Sequence, residues 1–412
     1  MNYLPLSSCR SLFPMLNKTM HGSPLIYLDS AATTHKPQSV IDAISFFYTD
    51  QYATVHRAVY ELAAQATLLY DMSREKVQKF LHAQYVDEIV FTRGTTESIN
   101  LVASCFGRAF IGPADEVLIS ETEHHSNIVP WQMICKEKGA VLKVIPCNIN
   151  GEIDLEQFQG LLSDKTKIIA IAHVANVTGT IHPIKKIIAI AHERGIPVLI
   201  DGAQSISHMP VNVQELDADF YVFSGHKAYG PTGIGVLYGK REWLEKLPPY
   251  HGGGDMVDRV DFSCTTYQKA PLKFEAGTPP IAEVIGLAAS LDFIDSVGRE
   301  RIATWENQML HYAIQKLGVV DGLSIIGNSV SKGPILSFAI EGVHSLDLGT
   351  MLSIKGVAMR TGHMCAQPTL KKYNQTSLSR ISFGVYNQIE EIDQFVALLQ
   401  QTLLLLRPPL SY

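Results

Sequence analysis

DFYVFSGHKAYGPTGIGVLYG, residues 219–239, decides the reading of this chain. Phe220–Phe223 is a short, wholly apolar run of β-forming residues. Ser224-Gly225-His226-Lys227 closes it, and glycines and a proline follow. A short apolar run bounded by turn residues reads as a strand buried on both faces. Lys227 then stands at the mouth of that strand. Desolvation and neighbouring positive charge lower the pKa of such a lysine and make its amine a nucleophile toward carbonyl groups.

The same pattern recurs outward from this point. Glu88–Phe91, Glu116–Ser120, Lys167–Ala172 and Pro197–Asp201 read as strands, and Ile184–Arg194 as one of the amphipathic helices between them. Short apolar strands alternating with helices predict an α/β fold with a mainly parallel sheet flanked by helices. Gly252–Lys269 breaks the rhythm, and VDRVDFSCTTYQ within it alternates like a hairpin. A long helix is expected after Thr278-Pro279-Pro280. GPILSFAI and SLSRISFGV read as strands of a smaller α+β unit. Asn387-x-x-Glu390 reads as a capping box for a last helix, IEEIDQFVALLQQTLLLL, with the leucines 403–406 on its buried face. The expected division is an N-terminal segment 1–25 packing on the small domain, a large domain 26–290, and a small C-terminal domain 291–412 carrying Cys365 and Arg380.

Ligands of open parallel sheets bind beyond the carboxyl ends of the strands, so the residues just after each strand carry the chemistry. Arg93-Gly94-Thr95-Thr96 opens a helix and reads either as a phosphate cradle or as a plain threonine cap. His124-His125 reads as metal ligands, as a ring stacked on a flat cofactor, or as surface loop. His173 and Asn176 follow the next strand. Asp201 and Gln204 follow the one after, and a carboxylate there needs a cation or protonated ring nitrogen beside it, or serves as a cap. Together with Lys227, these strand ends offer a phosphate cradle, a flat group, an amide, a carboxylate and an amine. Pyridoxal 5'-phosphate has a partner for each, and a carboxylate beside its ring nitrogen preserves its electron sink.

The bulk numbers exclude other classes. A net charge of -6 argues against nucleic acid as the main partner. The six cysteines include no C-x-x-C pair, so neither a zinc site nor a disulfide framework is expected and no metal is called for. The N-terminus lacks a basic stretch followed by an apolar one, and no run is long enough to span a membrane. A reducing, cytoplasmic setting follows.

At this point the chain resembles the class V aminotransferase group of fold-type I pyridoxal-phosphate enzymes, and within it the SufS-type (group II) cysteine desulfurases. YLDSAATTHKP, YATVHRAVYELAAQAT, VFTRGTTESIN, EHHSNIVPWQ, DGAQS, the SGHK turn, FEAGTP and MRTGHMCAQP carry the resemblance. It implies that Lys227 carries the cofactor, Asp201 meets the ring nitrogen and Gln204 the phenolic oxygen. His124 would stack on the ring and move protons, while Thr95, Thr96, Ser224 and His226 hold the phosphate. Thr278 would reach the phosphate of a neighbouring subunit, making the active unit a homodimer. Arg380 and Asn176 would bind the carboxylate of L-cysteine, with Arg360 and His56 also on the substrate side, and Cys365 would accept sulfur as a persulfide. Thiolate formation at Cys365 would draw on positive charge from His363 and Arg360. The short segment between Arg360 and SLSR implies a separate SufE- or SufU-like sulfur acceptor serving iron–sulfur cluster assembly. A selenocysteine lyase or cysteine sulfinate desulfinase is the alternative on the same fold. One departure stands out: the family's RTGHHC is RTGHMC here, with Met364 replacing a histidine.

Overall fold

Seven strands form one sheet in the order β1-β7-β6-β5-β4-β2-β3, from β1 (Ile89–Thr92), β2 (Glu116–Ser120), β3 (Val141–Ile145), β4 (Thr166–Ala172), β5 (Val198–Asp201), β6 (Phe220–Ser224) and β7 (Gly235–Gly239). This computed structural model describes residues 3–407; residues 1–2 and 408–412, the outer ends of the expected N-terminal segment and small domain, lie outside the described residues. Parallel pairing runs from β6 through to β3, and β7 alone is antiparallel to both neighbours. The carboxyl ends of the six co-directional strands therefore share one edge.

Two strands of this sheet escape the sequence reading. β3 is an edge strand with only Ile145 of its five residues buried, and Lys143 dilutes its apolar pattern. β7 follows β6 through a glycine-rich turn and reads as loop in sequence. Its first glycine is dictated by packing, because a Cβ on Gly235 would lie 2.4 Å from the Gly94 Cα. That contact sets β7 against the turn that opens the next helix.

Alternation along each strand divides two apolar layers. Val90, Val117, Ile119, Leu199, Phe220 and Val222 face a layer shared with Phe106 of α1 (Thr95–Phe110) and with Trp131. Phe91, Leu118, Ile200, Tyr221 and Phe223 face the opposite layer, shared with Leu287 and Leu291 of α2 (Ile281–Val297). Each fully buried large side chain contributes roughly 1.5–3 kcal/mol relative to exposure.

After the hairpin β8 (Val257–Val260) and β9 (Thr265–Tyr267) comes a second, antiparallel sheet. Its order is β10-β11-β13-β12, from β10 (Leu323–Ile326), β11 (Ile335–Ile340), β12 (Arg360–Gly362) and β13 (Leu378–Ser382). The helices α3 (Arg299–Leu317) and α4 (Ile389–Leu406) cover it. The expected capping box is displaced by one residue: Gln388 is the N-cap, and its N–H donates to Glu391 at 2.9 Å. Glu391 also receives the Asn387 side-chain amide and Arg10, which is why it, rather than Glu390, is buried. The run 403–406 is not one buried face either. Leu403 is buried, but Leu404 and Leu405 are 82% and 66% exposed, because helical periodicity turns them outward.

The N-terminal residues bridge both sheets. Phe13 packs between Tyr229, Phe293 and Tyr386. Ile26–Tyr27 pairs in parallel with Val357–Ala358. That pairing carries Asp29 to the top of the second sheet.

Candidate active site

A cavity of about 330 Å³ opens where the shared strand edge of the first sheet meets β12 and β13. That volume is within the range of cofactor and ligand pockets. Lining it are Thr95, Thr96, His124, Asn176, Asp201, Gln204, Ser224, His226, Lys227, Arg360, Cys365 and Arg380. Thr278 and His56 are not brought there by their own chain. Thr278 lines a separate hollow with Tyr70 and Glu275, and His56 packs edge-on against Tyr70.

One end of the cavity is built for an anion. The N-cap of α1 is Gly94, which has no side chain to cap the helix, and the first helical residue is Thr95. The Thr95 N–H donates to Ser224 Oγ at 2.8 Å, and the Thr95 and Ser224 hydroxyls bond at the same distance. This sixteen-residue helix thus points its amino end and two hydroxyls at one spot. His226 is tied through Nδ1 to Thr33 at 3.2 Å, and burial beside Lys227 and Lys36 lowers its pKa to about 4.

At the centre, Asp201 is buried and its pKa raised by that burial; one oxygen accepts from the Ala203 N–H at 2.9 Å. Lys227 keeps a little exposure, toward the cavity, yet protein surrounds it. Burial lowers its pKa to about 8, against the opposing pull of Asp201. His124 is lowered to about 4, mainly by burial and then by Lys227. The Ser126 N–H donates to its Nδ1 at 3.1 Å, so the neutral ring carries its proton on Nε2.

At the other end, Arg360 and Arg380 are direct cross-strand partners. Like charges so placed repel, and Asp29 sits between them. Its carboxylate lies 2.7 Å from Arg360 and 3.6 Å from Arg380. Sequence reasoning assigned Asp29 no role; its signal was a lone carboxylate directly after the apolar Tyr27-Leu28. Arg380 is 3% exposed and donates through Nη1 to the Asn176 carbonyl at 2.9 Å, while its Nε and the Asn176 Oδ1 are buried without partners. Unpartnered buried groups cost free energy unless a ligand meets them. A carboxylate in the cavity would meet Arg380 Nε.

Cys365 is exposed at the rim, and both Lys227 and Arg380 lie in its electrostatic reach. The two cations expected from sequence are otherwise engaged. Arg360 is bound to Asp29, and His363 uses Nδ1 to accept the Cys365 N–H at 3.1 Å. Met364 packs into a small apolar cluster with Val177, Leu370 and Leu378.

The groups present fit pyridoxal phosphate. The helix amino end and hydroxyls suit its phosphate, the buried Asp201 its ring nitrogen, and the Lys227 amine, its pKa lowered by burial, its aldehyde. Among the described residues no cluster suited to a metal ion exists, and no helix is long and apolar enough to cross a membrane.

The aminotransferase class-V family profile matches residues 26–395. A probable cysteine desulfurase of Vibrio cholerae is 47% identical over 403 residues, covering 98% of this chain and all of that one. A probable cysteine desulfurase of Mycolicibacterium paratuberculosis is 48% identical over 391 residues; the chain spans only 57% of that longer relative. Among solved structures, the cysteine desulfurase CsdA from Escherichia coli superposes with a TM-score of 0.92 at 40% identity, covering 98% of this chain and 100% of that one.

Proposed function

The chain belongs to the class V aminotransferase family, and from that premise we propose that it is a cysteine desulfurase: L-cysteine is converted to L-alanine, and its sulfur passes to Cys365 as a persulfide for delivery to an acceptor protein in iron–sulfur cluster assembly. The observation that carries this reading is that Lys227, Arg380 and Cys365 line one cavity. An aminotransferase requires the first two and has no use for a thiol at the third position.

Bound here, pyridoxal phosphate supplies an electron sink for the substrate's α and β carbons. Lys227 would hold it, with Asp201 at the ring nitrogen, Gln204 at the phenolic oxygen, and Thr95, Thr96, Ser224 and His226 at the phosphate. Arg380, held by Asp29 and the Asn176 carbonyl, fixes the substrate carboxylate through its free Nε and leaves the substrate's sulfur toward Cys365. Lys227, neutral in part near pH 8, takes and returns protons. His124 presents Nε2–H as a donor because Ser126 occupies Nδ1. Cys365 attacks the substrate sulfur as a thiolate, and Lys227 and Arg380 supply the positive field.

The finer assignments belong to the same proposal. Thr278 and His56 act on the cavity of a second copy, so the working unit is a homodimer; the exposed Phe46, Tyr48, Tyr52, Leu62 and Leu68 give it apolar surface to cover. The acceptor is of SufE or SufU type, because a tethered Cys365 cannot travel to a distant target. The setting is the cytoplasm. The large and small units divide near residue 290, in the second half of α2, the helix that leads into α3.

Sulfide and alanine measured together from L-cysteine test the reading. Lys227→Ala abolishes both, and Cys365→Ala keeps the cofactor absorbance but stops sulfide release. Sulfide release surviving loss of Cys365 overturns it in favour of a lyase acting on selenocysteine or cysteine sulfinate.

A further inference from the structure

Met364 and Cys365 are consecutive non-glycine residues in the left-handed region, with φ of 49° and 53°. L-residues avoid this region, and two in succession do not persist without outside support. The support comes from three ties between the loop 363–367 and the first sheet. The Asn176 amide donates to the Met364 carbonyl at 2.7 Å. The His125 N–H donates to the Cys365 carbonyl at 2.7 Å. The Gln367 N–H donates to His125 Nε2 at 3.1 Å. His125 thus grips the loop at Cys365 and just beyond it, once through backbone and once through its ring, while Asn176 holds the residue before the thiol.

We propose that His125 is the positioning residue that holds Cys365 in its left-handed conformation, with Met364 as the apolar anchor beside it. This rests on the desulfurase reading for its purpose, although the clamp itself is a property of the loop. The ring must offer a lone pair at Nε2 to accept the Gln367 N–H. Burial and the neighbouring His363 keep His125 below the usual histidine range, which maintains that lone pair. The Met364 side chain sits among Val177, Leu370 and Leu378, where a charged histidine would be costly to bury. The substitution in the RTGHMC segment therefore trades a titratable side chain for a fixed apolar seat. His125 touches no reacting atom; it acts through the backbone that carries Cys365.

The test uses the holoenzyme and the variants His125→Ala, His125→Gln and His125→Asn. Glutamine places an amide oxygen close to where Nε2 stands, whereas asparagine is too short to reach the Gln367 N–H. Hydrogen–deuterium exchange of residues 363–367 and alkylation of Cys365 by iodoacetamide report loop opening without any turnover. Both should quicken roughly fivefold in the alanine and asparagine variants, the worth of one ordinary hydrogen bond. Persulfide formation should slow with KM for L-cysteine unchanged, and glutamine should restore all three. If the alanine variant does not fold, the glutamine–asparagine comparison gives the same split. Unchanged exchange and alkylation, faster exchange without slower persulfide formation, or equal failure of glutamine and asparagine would each overturn the proposal. Failure of the wild type to release sulfide would instead overturn the desulfurase reading and leave the exchange result standing.

Discussion

Replacing Arg380 with lysine should raise KM for L-cysteine far more than it lowers kcat. Arg380 lies on β13, is 3% exposed, and has burial pulling its pKa down to about 10, so it still carries its charge at neutral pH. Two of its nitrogens are engaged, with the Asn176 carbonyl at 2.9 Å and with Asp29 at 3.6 Å, and Nε is left for the substrate. A lysine has one nitrogen to serve all three directions and lacks the planar fork. The lost charge-assisted hydrogen bond to the carboxylate is worth about 1.5–3 kcal/mol, a factor of roughly 10 to 150 in kcat/KM. Because the carboxylate is bound alike before and during reaction, the loss should appear in KM. The fold should hold, since Asp29 keeps Arg360 at 2.7 Å. Steady-state alanine formation across a range of L-cysteine concentrations gives the split, and the visible absorbance confirms cofactor retention. A KM within twofold of wild type, with retained cofactor, would refute the assignment of Arg380 to the substrate carboxylate.

Asp29→Asn should leave Arg360 and Arg380 facing each other uncompensated across β12 and β13, lowering stability by about 1–3 kcal/mol in chemical denaturation and raising KM as well. Gly235→Ala should force its Cβ against the Gly94 backbone; a loss of about 1–3 kcal/mol in thermal melts and weaker retention of pyridoxal phosphate on dialysis are expected. The cofactor-free protein should gain stability as pH rises from about 8 toward the ordinary lysine range, because the folded Lys227 binds its proton less tightly than the unfolded one. Lys227→Met removes that gain, up to about 3 kcal/mol and less where water enters the cavity, so the difference between the two melting profiles against pH isolates it.

The strand ends were legible because burial forbids polar residues there unless a partner exists. Asp201 ends one wholly buried strand and Lys227 stands three residues beyond another, and the sequence alone pointed to a cofactor with matching groups. β3 and β7 were less legible, one diluted by edge exposure and the other hidden in a glycine-rich turn whose glycine answers a tertiary contact. Asp29 was missed for a related reason: its meaning lies in two arginines that become cross-strand partners only when the second sheet forms. The clamp on Cys365 was beyond reach as well, since His125 and Gln367 meet only across the two sheets. The capping error was local, because Asn387 and Gln388 are both plausible caps and only the burial of Glu391 distinguishes them.

The central claim is that sulfur from the substrate comes to rest on Cys365. Holoenzyme mixed briefly with L-cysteine, quenched with an alkylating agent and digested, gives the direct measurement by mass spectrometry of the peptide bearing Cys365. This peptide should gain the mass of one sulfur atom, the gain should be absent without substrate, and it should match the alanine formed in a single turnover. Alanine formed in equal amount with no added sulfur on Cys365, or with the sulfur on Cys264 instead, would contradict it.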